Sequence, residues 1–158
     1  MIVIGCQFLI GLVFVAAVIG KVTGYSAFVN SVADMGFRPA APIAAIVLLG
    51  EISIVGLVVG LPSAGFALAA LMLLAFAAAI ALSLRRGNAK PCRCFGRSTT
   101  SLGWHHVWRN VFLIAIAVLG VLAAPGTVSL AVAAVAAVAG LVAGALVVML
   151  DDLRFLFT

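Results

Sequence analysis

Cys92 and Cys94 stand one residue apart in Pro91-Cys92-Arg93-Cys94-Phe95-Gly96, a basic stretch of an otherwise apolar chain. Residues i and i+2 of an extended turn come within the Cα separation that a disulfide needs, although the small ring is strained. Strain raises the reduction potential, so such a bond is exchange-prone rather than structural. Lys90, Arg93 and Arg97 put positive charge around the thiols. That favours the thiolate, the form that attacks disulfides and binds metals. Pro91 fixes the backbone before the pair and Gly96 lets it turn afterwards. Redox chemistry is the leading reading of the pair, an inert structural pair the second and metal binding the third.

A metal site needs more ligands. His105 and His106 follow Cys94 in a Cys-x-Cys-x10-His-His order. Zinc sites usually space paired ligands by two to four residues, and adjacent histidines on a helix point in different directions. No metal is therefore expected. His105 and His106 are read with Trp104 and Trp108 as the interfacial start of a helix, where such rings are favoured. Cys6 lies near the far end of the first apolar stretch, roughly a membrane thickness from the pair by helix rise. It reads as a small buried filler.

Glu51 is the one ionisable group deep inside an apolar stretch. A carboxylate there is costly, so it must be protonated, paired or facing a cavity. It lies about 13 Å below the cysteine face by helix rise from Pro42. Lys21 ends the first stretch on that face, and Arg109-Asn110 open the fourth. Lys21, Glu51, Arg109 and Asn110 are thus expected to form a polar cluster beneath the thiols. It would serve either as an ion pair that fixes helix register or as a proton relay or cofactor anchor.

The elements that must position these groups are membrane helices. The chain has 158 residues, 66% hydrophobic and 8% charged, with a mean hydropathy of +1.40. A soluble domain cannot hide that much apolar surface, so its solvent is lipid. Five stretches are long enough to span, at residues 2–20, 42–61, 64–84, 107–123 and 128–150. In lipid only a helix satisfies its own backbone, and none of these runs alternates like a barrel strand. The expected fold is all-α, an integral membrane bundle of about five transmembrane helices in one domain over residues 1–158. The first stretch has no basic residue before it and is read as a span, not a cleaved signal.

Short turns at Leu61-Pro62-Ser63 and Ala124-Pro125-Gly126-Thr127 predict two helical hairpins, spans two–three and four–five. The cysteine loop, residues 85–106, joins spans three and four. The segment Asp34-Met35-Gly36-Phe37-Arg38-Pro39 predicts a short interfacial helix and turn, over which Tyr25, Phe28 and Phe37 can bury. Asp151, Asp152 and Arg154 read as a helix stop. Gly140 and Gly144 make a G-x-x-x-G in the last span, read as packing within the bundle rather than as a dimer motif.

With five spans, all nine Lys and Arg fall on one face. The positive-inside rule makes that face, with its cysteine loop, cytoplasmic and leaves the N-terminus outside. The net charge of +5 suits anionic headgroups and gives no reason to invoke nucleic acid.

The order Lys21, Glu51, Arg86-Gly87, Cys92-x-Cys94-Phe95-Gly96 and Arg109-Asn110 resembles the methylamine-utilisation MauE family, whose architecture is related to small DoxX-like membrane proteins. The resemblance runs from the first span to the fourth. It implies a redox-associated protein of the bacterial inner membrane that helps thioredoxin-like partners form or maintain disulfides in exported proteins, including a dehydrogenase subunit. Cys92 and Cys94 become the expected redox residues. Disulfide formation belongs outside the cytosol, whereas the charge bias predicts this pair inside, and a bias of nine cations to none outweighs the expected compartment. A membrane quinone near Glu51 is the candidate electron carrier. The alternative is a non-catalytic accessory subunit of a larger membrane complex.

Overall fold

A computed structural model describes residues 1–86, 103–123 and 129–155, with side chains to residue 149. Cys92 and Cys94 lie outside the described residues. Six helices and no strand are present among those described: α1 (Ile2–Thr23), α2 (Tyr25–Asp34), α3 (Ala40–Gly60), α4 (Pro62–Arg85), α5 (Trp104–Leu122) and α6 (Leu130–Phe155). All but α2 are long and apolar enough to cross a membrane, which gives the multi-pass bundle that the hydropathy predicts. The surrounding medium is a lipid bilayer.

The helix ends follow ordinary rules. Pro62 sits at the first position of α4, where no backbone N–H is needed. Pro42 lies in the first turn of α3 for the same reason. Gly36 has φ +89, the left-handed conformation that ends the α2 segment and turns the chain toward α3.

Glycines record how the helices approach. A Cβ on Gly65 would strike the Val58 backbone, so α3 and α4 close into the expected hairpin. Phe66 packs over Gly120, 2.7 Å from where a Cβ would stand, and Val107 packs against Ile80. α4 and α5 therefore run antiparallel, in a register that sets Asn110 level with Phe76. A Cβ on Gly140 would strike the Gly5 carbonyl, and one on Gly144 would lie 3.1 Å from the Leu9 carbonyl. The G-x-x-x-G motif thus packs within the bundle, as expected.

That pairing brings a correction. The short turn before α6 predicts a hairpin of α5 with α6, but α6 packs along α1 instead. The two run parallel, since position 140 meets 5 and position 144 meets 9. A short connection limits distance between helix ends; it does not choose the face that packs. Small residues on α6 let it reach the α1 backbone, and van der Waals contact then decides the partner. Parallel α1 and α6 are what alternate crossing by five spans requires.

Two smaller differences concern the ends. The surface helix is α2, Tyr25–Asp34, and the 34–39 segment is the turn after it. Phe28 is buried on it, while Tyr25 and Phe37 stay about one third exposed. α6 runs past Asp151 and Asp152 to Phe155, so the acidic pair does not stop the helix. Cys6 belongs to the buried apolar core with Leu9, Ile10, Phe14, Ile54 and Leu73, which is the filler role expected of it.

Candidate functional site: a buried ion pair under the cationic end

The antiparallel arrangement gathers Lys21, Arg38, Arg85, Arg86 and Arg109 toward one end of the bundle. The chain between α4 and α5, which holds both cysteines, leaves and returns at this end.

Lys21 is two residues short of the end of α1. A lysine in that place ordinarily extends its stem outward to water. Here it turns inward and is only 1% exposed. Its Nζ donates a hydrogen bond to Glu51 Oε1 at 2.6 Å. Both side chains are wholly buried. Glu51 is eleven residues beyond the start of α3, about 16 Å along the helix, which is near half the thickness of a bilayer core of roughly 30 Å.

Aromatic rings enclose the ammonium. Nζ stands 5.2 Å from the Phe28 ring centroid and 5.4 Å from that of Phe76. Cation–π attraction of this kind strengthens when water is excluded. Phe28 comes from α2, so the short amphipathic helix lies over the end of α1 and closes the site. Phe76 comes from the buried stripe of α4 that also holds Leu73, Ala77 and Ile80.

α5 completes the assembly. Its buried face carries His106, Arg109, Asn110 and Leu113. The Arg109 guanidinium acts electrostatically on Lys21. Asn110 is fully buried. Neither its Nδ2 nor its Oδ1 meets a hydrogen-bond partner among the described residues, and the same holds for Glu51 Oε2. Buried polar atoms ordinarily find protein or water partners, so these three are notable among the described residues.

The structure therefore brings Lys21, Glu51 and Arg109 together as the sequence suggests, and sets Asn110 at the same level on the neighbouring helix. It adds one residue that sequence reasoning passed over, Phe76, and buries a second, His106. Phe76 was legible as part of a stripe at helical spacing, but nothing singled it out among ten phenylalanines. His106, in the first turn of α5, is buried at 5% exposure while its neighbours Trp104 and Trp108 are exposed. Its ring lies 4.0 Å from that of His105. His106 is one turn before Asn110 on the buried face of α5, so the helical period predicted its burial once Asn110 was placed inside. Among the described residues no group of three His, Cys, Asp or Glu side chains is arranged around a metal position.

A bundle of five spans with an enclosed lysine–glutamate pair under a cationic end defines a small multi-pass membrane protein with a polar centre. The sequence profile of methylamine utilisation protein MauE matches residues 1–123, most of the chain and four of its five spans. The chain belongs to the MauE family. No curated protein and no solved structure matches it.

Proposed function

We propose that the chain is a membrane thiol–disulfide exchange protein of the bacterial inner membrane, with Cys92 and Cys94 as its reacting pair. The whole of residues 1–158 acts as one bundle, and the 85–106 loop is its working face. The charge bias supports a cytoplasmic loop and an external N-terminus. The observation that carries this reading is the buried Lys21–Glu51 pair, enclosed in the bundle below the end from which the cysteine segment emerges. An enclosed charge pair costs stability that apolar packing would not, so its presence there fits a function. Family membership and the Cys-x-Cys spacing support the same conclusion.

In the exchange step one cysteine thiolate attacks a disulfide of a thioredoxin-like partner. A sulfur–sulfur bond forms between the two proteins, and one partner thiolate leaves. The second cysteine then attacks the mixed disulfide, closes the Cys92–Cys94 bond and releases the partner as a dithiol. The sequence is reversible, so the pair can also pass a disulfide to the partner. Oxidation of the Cys92–Cys94 dithiol by a membrane quinone would release two electrons and two protons to that carrier and yield the quinol. Lys21, Glu51, Arg109 and Asn110 support this exchange from below as the polar anchor.

The test is trapping. Each of Cys92→Ser and Cys94→Ser is expected to alter a covalent adduct with a thioredoxin-fold protein, one variant accumulating it and the other lacking it. Unchanged redox states of all partners in both variants would overturn the proposal, and a complex that stays intact and active in the double-serine protein would leave an accessory subunit.

A further inference from the structure

Beside the ion pair lies a cavity of about 200 Å³ between α2, α3 and α4. Its walls are apolar, and they include Phe28, Met35, Met72, Phe76 and Ala79. Two of these residues have a second role. Phe28 and Phe76 are the rings that enclose the Lys21 ammonium. They are the partition between the cavity and the buried pair. On the polar side of that partition, Glu51 Oε2 is wholly buried and without a hydrogen-bond partner among the described residues. On α5, level with Phe76, both amide atoms of Asn110 are in the same condition.

We propose that this cavity binds the ring of an uncharged, lipid-soluble molecule of the quinone class. The inference rests on the electron-carrier step above for the choice of ligand, and on geometry for the place. Size favours a ring, because an apolar protein cavity of about 150 Å³ takes up benzene. The wall chemistry favours a flat one. Aromatic faces stack on rings, and methionine sulfur adapts to ring edges. A quinone also carries oxygens that accept from an amide or ammonium, and as the quinol it donates to a carboxylate. Those are the functions left open at Asn110 and Glu51. A turn of the Phe76 side chain would join the cavity to them. A larger cavity of about 360 Å³, bordered by Gln7, Gly11 and Leu141, lies toward the opposite end of α1 and touches none of these groups.

The experiment uses the full chain carrying Cys92→Ser and Cys94→Ser, with the remaining thiol removed by Cys6→Ala, in lipid nanodiscs, so that no thiol chemistry contributes. The probe is a photoreactive 1,4-naphthoquinone with a ten-carbon tail. Crosslinks at Met35, just after α2, or at Met72 or Phe76 of α4 are expected, and Ala75→Phe or Ala79→Leu should weaken binding at least tenfold. Gly11→Leu, which fills the other cavity, should leave it unchanged. Ala75 faces outward and Ala79 is half-buried, so if one variant fails to fold the other keeps the test valid. Undiminished binding in a folded filling variant overturns the site. Equal binding of a saturated probe lacking the ring overturns the ligand class and makes the cavity an acyl-chain slot. Because Cys92 and Cys94 are absent, failure here leaves the exchange proposal standing, and inert cysteines with probe bound in the cavity would leave the site standing without the exchange.

Discussion

Lys21→Met tests whether the pair at the centre of the bundle is as enclosed as the 2.6 Å bond implies. The substitution keeps the stem and removes the ammonium, so it strands the Glu51 carboxylate among apolar walls. Breaking a buried pair from one side costs about 3–5 kcal/mol. At about 1.4 kcal/mol per factor of ten, that is a loss of roughly a hundred- to several-thousand-fold in the folded-to-unfolded ratio. Glu51→Leu strands the lysine and should cost a similar amount, softened by the Phe28 and Phe76 rings that remain over Nζ. The double variant removes both charges together. It should recover most of the loss, and replacing buried pairs by apolar residues can even stabilise by about 1–4 kcal/mol. The assay is reversible unfolding of the four proteins in mixed micelles, followed by helical ellipticity, with the interaction energy taken from the double-mutant cycle. Single variants that each cost under about 1 kcal/mol, and that add in the double, would refute the enclosed pair.

Phe76→Leu should destabilise by about 1–3 kcal/mol through lost packing and lost attraction to Lys21, read in the same unfolding assay. Gly140→Leu drives a side chain into the Gly5 carbonyl and should cost about 1–3 kcal/mol or more, whereas Gly11→Leu points into open space and should stay within about 0.5 kcal/mol. Asn110→Leu removes two polar atoms that meet no partner among the described residues, so stability should hold or rise while the redox exchange is impaired; a loss of stability beyond about 2 kcal/mol would show that the amide is satisfied structurally.

Much of this fold is legible in the sequence because lipid demands length. A span must be near 20 apolar residues, and five stretches meet that demand. Glu51 is legible for the opposite reason: a carboxylate amid Leu, Gly, Ile and Ser is so costly that a partner must exist, and Lys21 is the basic residue in the preceding span. What stays hidden is which faces meet. In lipid, residues on the outside and on the inside of a bundle are alike, so α3 and α6 carry no amphipathic stripe to show their buried side. Gly140 and Gly144 announce a close approach without saying to what, and the short turn points to α5 when the partner is α1. His106 is hidden by its company, since Trp104 and Trp108 mark an interface while the helical period carries His106 inside.

The most direct test of the exchange reading is the redox state of the cysteines in native membranes, read by mass-shift alkylation as an applied thiol–disulfide potential is stepped. The account predicts that Cys92 and Cys94 change together, by two thiols in one step within the range of cellular dithiol couples, while core-packed Cys6 does not respond. Two thiols that remain alkylatable at every potential, or a pair that stays oxidised until the protein unfolds, would contradict it.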